Sequence, residues 1–106
     1  MSFPDDNRIL VVDDEASQRD LLSMVLTEEG FTVETASNGE EAVAKVQDRF
    51  YDLVIMDMKM GGMGGLEALK RIKEISSAVQ VLIVTAYASV DTAVEAMRSG
   101  ALNYLT

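Results

Sequence analysis

The chain has 106 residues, of which 48% are hydrophobic and 25% charged, a composition typical of one soluble globular domain with a single core. Its formal net charge of -9 argues against direct binding to nucleic acid, because phosphate groups require a cationic surface. The sequence contains no cysteine or histidine, which excludes disulfides and histidine catalysis and removes most zinc sites. No signal segment or membrane-spanning stretch is recognisable, so we expect a cytoplasmic protein without a membrane partner.

Apolar runs alternate with segments of helical periodicity along the whole chain. Two of the runs end in aspartate, at Asp13 and Asp57, and are typical of strands buried on both faces of a parallel sheet. Gly30 and Gly100 follow amphipathic segments and mark helix ends. The predicted elements, in chain order, are strand 8–13, helix 17–29, strand 31–35, helix 40–49, strand 52–57, helix 66–75, strand 79–85, helix 89–99 and strand 101–105.

This alternation predicts an α/β fold, a flavodoxin-like doubly wound sheet of five parallel strands in the order 2-1-3-4-5. The whole chain, residues 1–106, is predicted to form a single domain. The helix that should cover the last strand is missing, so part of the sheet near Tyr104 should lack its cover. We therefore expect the chain to be truncated, continuing beyond Thr106, or a partner to compensate.

Acidic residues follow the two buried strands that flank the point where the strand order reverses. Ligands of open α/β sheets bind at this point, so the carboxylates of Asp13, Asp14 and Asp57 should converge there. A cluster of hard oxygen ligands suits Mg²⁺, which would also relieve the repulsion between the charges. Such a site can hold a phosphoryl donor against a carboxylate nucleophile, and Thr85 is placed to offer a hydroxyl to a phosphoryl oxygen. Asp52 lies at the opposite end of its strand and is interpreted as a turn residue.

Four segments carry a resemblance to a known family. They are Val11-Val12-Asp13-Asp14-Glu15, Asp52-Leu53-Val54-Ile55-Met56-Asp57-Met58, Val84-Thr85-Ala86 and Gly100-Ala101-Leu102-Asn103-Tyr104-Leu105-Thr106. In order and spacing they resemble the signatures of the receiver domains of bacterial two-component response regulators. The match covers essentially the whole chain, which makes it far more specific than any one motif.

The resemblance implies a phosphoacceptor switch in which a sensor histidine kinase phosphorylates Asp57. It implies that Asp13 and Asp14 bind Mg²⁺ together with Asp57 and the backbone carbonyl of Lys59. Thr85 and Tyr104 would form the switch pair, with Thr85 moving toward the phosphoryl group and Tyr104 rotating inward behind it. Such a domain catalyses only its own phosphorylation and dephosphorylation and is not an enzyme in the ordinary sense.

The resemblance is greatest to receivers of the nitrogen-regulation type, which precede an ATPase and a DNA-binding domain in transcription activators. In the family the surface of residues 90–105 commonly mediates dimerisation. Two departures are visible. The family lysine after Leu105-Thr106 would lie beyond the sequence, and the loop after Asp57 has Gly61 where the family usually has proline. Glycine adds conformational freedom, so we expect this loop to be looser than usual.

Three alternatives remain open. A Mg²⁺-dependent phosphatase with an aspartyl nucleophile usually has a second aspartate where this chain has Lys59. A flavin-binding electron carrier of the same fold would need a phosphate cradle after the first strand, and the acids there would repel the flavin phosphate. A receiver-like docking module without phosphorylation is disfavoured by the intact acidic triad.

Overall fold

Apolar runs and amphipathic segments become strands and helices in the predicted order. A computed structural model of the chain describes residues 7–58, 60, 62–85 and 90–105. Each element lies within one or two residues of its predicted bounds. The elements are β1 (Arg8–Val12), α1 (Ala16–Glu28), β2 (Thr32–Ala36), α2 (Gly39–Asp48), β3 (Leu53–Asp57), α3 (Gly65–Ile75), β4 (Gln80–Val84), α4 (Val90–Arg98) and β5 (Asn103–Leu105).

The strands form one parallel sheet in the order β2-β1-β3-β4-β5. Neighbouring parallel strands cannot be joined by a tight turn, so a helix follows each of the first four strands and returns the chain to the same edge. Val12 of β1 is level with Met56 of β3, and Asp57 of β3 is level with Val84 of β4. The predicted flavodoxin-like order is confirmed.

Two of the helices end at the glycines that the sequence marks as stops. Gly30 has φ 99° and Gly100 has φ 105°, in the left-handed region that favours glycine. After α1, the amide of Gly30 donates to the carbonyl of Thr27 and the amide of Phe31 to that of Leu26. These two bonds satisfy two of the carbonyls in the last turn of the helix and turn the chain into β2.

The core lies between one face of the sheet and helices α2, α3 and α4. Alternate residues of a strand point to the same face, so the buried strand residues Leu10, Val54 and Ile83 share one side. Their cluster excludes water from the centre of the sheet and contributes most of the hydrophobic stabilisation. Its helical members are Ala42 and Val46 of α2, Ala68, Leu69 and Ile72 of α3, and Ala96 of α4.

The opposite face of the sheet is covered by α1, which packs mainly on β2 and β1. At the far end of that face Val84 and Leu105 remain 39% and 43% exposed. The expected lack of cover at the end of the sheet is therefore present, but it affects these two residues. Tyr104 points to the other face, where it is half-buried against the core.

Helix α4 forms as predicted, but its apolar stripe faces outward. The side chains of Val90, Val94 and Met97 are all exposed, and Ala96 is the one buried residue of this fully described helix. The spacing of the stripe therefore predicted the helix but not the direction of its apolar side. In the described part of the chain, none of the helices has the length and apolarity that a membrane crossing requires.

Candidate functional site

Three carboxylates meet at the carboxyl edge of the sheet, as the strand order predicts. Asp57 is the last residue of β3 and Asp13 follows β1, whose last residue is level with the residue before Asp57. One carboxylate oxygen from each of Asp13, Asp14 and Asp57 lies within 4.8 Å of the others. Asp13 and Asp57 are half-buried and Asp14 is exposed, so the cluster is open to solvent on one side.

The turn that carries Asp13 is held by hydrogen bonds from three directions. The amide of Asp13 donates to the carbonyl of Ala36 at 3.1 Å, and this bond extends the pairing of β1 with β2. The amide of Glu15 donates to Asp13 Oδ1 at 3.0 Å, a local bond that suits aspartate in a turn. Arg19 of α1 donates to the backbone carbonyl of Asp13 at 2.7 Å. The backbone at Asp13 is therefore fixed by β2 and by α1.

The donor set of this cluster fits a hard divalent cation. Carboxylate oxygens are the ligands that Mg²⁺ and Ca²⁺ prefer, and close carboxylates repel one another without a counter-charge. Among the described residues this is the one group of three or more acids whose oxygens converge. The backbone carbonyl of Lys59, the fourth expected ligand, lies outside the described residues.

Helix α3 begins directly behind Asp57, and Gly65 permits this close approach. The amide of Gly65 donates to the carbonyl of Met58 at 2.9 Å. A β-carbon at residue 65 would lie 2.7 Å from the Cα of Met58 and would overlap the carbonyl oxygen of Asp57. The glycines after Asp57 suggest only looseness when they are considered as a sequence, and no local pattern marks the packing role of Gly65.

The predicted switch residues lie on adjacent strands and on the same face of the sheet. Thr85 directly follows β4, is 3% exposed, and donates from its amide to the carbonyl of Leu105 at 2.9 Å. Tyr104 pairs with Ile83, two residues before Thr85, so both side chains point toward α4. The hydroxyl of Tyr104 lies 2.9 Å from that of Thr92, a residue that the sequence analysis did not single out.

A polar network occupies the opposite end of the sheet. Asp52, which the sequence suggests is a turn residue, accepts a hydrogen bond from the amide of Arg8 at 2.9 Å. Glu34 accepts from Arg8, Arg49 and Tyr51 at 2.7, 3.0 and 2.8 Å. Burial opposes ionisation of Glu34, but the bonds from Tyr51 and Arg8 and the two arginine charges outweigh it, so its pKa is lowered. Burial and the Glu34 carboxylate raise the pKa of Tyr51.

A doubly wound parallel sheet with three aspartates at its switch point agrees with the receiver domain that the sequence resembles. Comparison with known families agrees. Residues 9–106 match the family described as the response regulator receiver domain. The chain belongs to this family.

Curated relatives include transcriptional regulators and a phosphotransferase. The transcriptional regulatory protein ZraR of Klebsiella oxytoca is 50% identical over 97 residues, which are 92% of this chain and 22% of the relative. The sporulation initiation phosphotransferase F of Bacillus subtilis is 42% identical over 97 residues, 92% of this chain and 78% of the relative. The chain thus spans about a fifth of the length of ZraR and most of the length of the shorter relative.

Solved structures of similar fold include receivers with metals and activating groups. TrrA of Thermotoga maritima, in complex with Mg²⁺ and beryllofluoride, is 40% identical, with a TM-score of 0.85 over 94% of this chain and 85% of that one. The beryllofluoride-activated NtrC4 receiver dimer is 40% identical, with a TM-score of 0.86 over 92% and 81%. A Burkholderia pseudomallei regulator with a phosphorylated aspartate and calcium is 31% identical, with a TM-score of 0.90 over 94% and 59%.

Proposed function

We propose that this domain is a phosphoacceptor switch in which Asp57 receives a phosphoryl group from a sensor histidine kinase. The observation that carries the proposal is the convergence of Asp13, Asp14 and Asp57 within 4.8 Å in a chain of the receiver family. We assign Mg²⁺ to these three carboxylates and to the backbone carbonyl of Lys59. The phosphorylated aspartate and the Mg²⁺–beryllofluoride complex of the similar structures support this assignment.

The chemistry follows from the position of Asp57. A carboxylate oxygen of Asp57 forms the new O–P bond while the bond between phosphorus and the donor nitrogen breaks, and the histidine leaves with its electron pair. A bound Mg²⁺ supplies positive charge to the phosphoryl oxygens. Asp13 and Asp14 hold that charge at the edge of the sheet. Hydrolysis of the aspartyl phosphate resets the domain, which acts on no substrate beyond its own phosphoryl group.

The proposed switch runs from Thr85 to Tyr104. Thr85 follows the strand next to β3, and this position supports a role in which its hydroxyl donates to a phosphoryl oxygen. The amide of Thr85 donates to the carbonyl of Leu105, the residue after Tyr104. A movement of Thr85 would therefore displace the backbone of β5 beside Tyr104. Phosphorylation would shift an equilibrium between two arrangements of this pair rather than create a new fold.

The partners follow from the relatives. We infer that residues 1–106 form a single receiver domain of a cytoplasmic transcription regulator, coupled to an ATPase and a DNA-binding domain. The transcriptional regulators among the relatives support this inference. We infer that the exposed apolar side chains of the 90–105 surface pair two copies, as a dimer of the similar NtrC4 receiver suggests. These side chains are Val90, Val94, Met97, Leu102 and Leu105.

Intact-protein mass spectrometry after incubation with acetyl phosphate and Mg²⁺ tests the assignment of Asp57. The parent chain should gain one phosphoryl group and Asp57→Asn should gain none. Asp52→Asn is the matched control, because Asp52 lies at the other end of the same strand and should leave the uptake unchanged. Equal uptake by Asp57→Asn and the parent would remove Asp57 as the acceptor.

Phosphoryl uptake and an assay of phosphate release distinguish two of the alternative functions. A folded parent that takes up no phosphoryl group would favour a docking module. Continuous release of phosphate from added monoesters would favour an aspartyl phosphatase.

A further inference from the structure

The hydroxyls of Tyr104 on β5 and Thr92 on α4 lie 2.9 Å apart and share a hydrogen bond. Both side chains are half-buried, so water competes for this bond less than it would at the surface. The bond joins the last strand of the sheet to the first turn of a helix that follows Thr85 in the chain. It therefore connects two elements that meet at the proposed switch.

Helix α4 buries little of its own side-chain surface. Ala96 is its one buried residue, and its apolar stripe is exposed. Glu95 forms an ion pair with Lys70 of α3 at 3.0 Å, but both side chains are about half exposed and such pairs contribute little. The bond between Thr92 and Tyr104 therefore joins the first turn of a largely exposed helix directly to the sheet.

We propose that Thr92 is a positioning residue whose hydroxyl sets the resting position of the Tyr104 ring and couples that ring to α4. This inference rests on the proposed switch of Thr85 and Tyr104. A rotation of Tyr104 must break the bond or carry the first turn of α4 with it. The bond therefore opposes the rearrangement that accompanies phosphorylation, and its strength sets how readily the domain switches.

The test compares Thr92→Val, which keeps the shape of the side chain but removes the hydroxyl, with Thr92→Ser, which keeps the hydroxyl. Beryllofluoride with Mg²⁺ serves as the phosphoryl analogue, and its affinity is measured by calorimetric titration. Thr92→Val should bind beryllofluoride about three- to tenfold more tightly than the parent, as expected for the loss of one net hydrogen bond from the resting arrangement. Thr92→Ser should match the parent.

A double-mutant cycle with Tyr104→Phe separates this coupling from a general loosening of α4. In the Tyr104→Phe background, where the tyrosine hydroxyl is already absent, Thr92→Val should have no further effect on the affinity. A fluorine label on the tyrosine rings should show that Thr92→Val moves the Tyr104 resonance before any analogue is added.

The outcomes distinguish the coupling from the proposed function. If the parent binds beryllofluoride and Thr92→Val binds it with the same or a lower affinity, the coupling alone is overturned. An effect of equal size in the Tyr104→Phe background also overturns it. A parent that binds no beryllofluoride overturns the proposed function and the coupling together.

Discussion

Nη1 of Arg19 lies 2.7 Å from the backbone carbonyl oxygen of Asp13, to which it donates a hydrogen bond. The bond connects α1 to the turn after β1. In the same turn the amide of Asp13 donates to the carbonyl of Ala36 in β2. The first carboxylate of the acidic cluster is therefore positioned by a cation that binds its backbone carbonyl and not its carboxylate, of which Oδ1 accepts from the amide of Glu15.

Arg19 should support the affinity for Mg²⁺ through this position rather than through its charge. We expect both Arg19→Ala and Arg19→Lys to weaken Mg²⁺ binding about tenfold, because neither reaches the carbonyl in the same geometry. If charge alone mattered, Arg19→Ala would bind Mg²⁺ more tightly and Arg19→Lys would equal the parent. Calorimetric titration of each variant with Mg²⁺ distinguishes the two explanations. Arg71→Ala is the control and should leave the affinity unchanged, because Arg71 lies on the exposed side of α3 and pairs with Glu67.

Removing one charge from the acidic cluster should have opposite effects with and without Mg²⁺. In metal-free buffer, Asp14→Asn should raise the free energy of unfolding by about 0.5–1 kcal/mol, because it relieves repulsion among three close carboxylates. With excess Mg²⁺ the parent should gain more stability than the variant, since binding to the folded state alone stabilises it. Urea unfolding with and without Mg²⁺ measures both effects, and parallel shifts in the two proteins would contradict the metal site.

Gly65→Ala should destabilise the protein by about 1–3 kcal/mol, because the added methyl group overlaps the backbone of Asp57 and Met58. The displacement of Asp57 should also slow its phosphorylation by acetyl phosphate. Gly64→Ala is the matched control one residue earlier, where an added β-carbon would lie 3.7 Å from its nearest neighbour, the carbonyl oxygen of Met58. We expect the control to cost less than about 1 kcal/mol in urea unfolding. Equal losses in the two variants would argue against the close approach.

Acid should weaken the fold in part through Glu34, whose pKa is lowered from its ordinary value of 4.5 in the folded protein. A lowered pKa gives stability that is present above the unfolded value and is lost as the pH falls through the folded value. The free energy of unfolding should therefore fall less steeply in Glu34→Gln than in the parent below about pH 4.5. Tyr51→Phe removes one of the bonds to Glu34, so the pH dependence of its free energy of unfolding should lie between those of the parent and Glu34→Gln. Identical slopes in urea titrations across this range would contradict the network.

Much of this protein follows from local patterns in its sequence. Apolar runs that end in acid, amphipathic segments of helical spacing and glycines at helix ends predict the nine elements and their order. Parallel strands joined by helices allow few arrangements, so the strand order and the meeting of Asp13 with Asp57 could be predicted as well. These features repeat at the period of a helix or a strand, or stand at the end of one, which is why a linear sequence reveals them.

Only the tertiary structure decided which residues support the acidic cluster and the proposed switch. Arg19, Gly65 and Thr92 have their roles through contacts with residues that are distant in the chain or separated by a loop, and no periodicity marks such contacts. The outward direction of the apolar stripe on α4 was likewise undecided, because spacing alone shows that a helix has an apolar side. What that side faces depends on how the helix packs against the sheet and α3, so only the folded chain shows it.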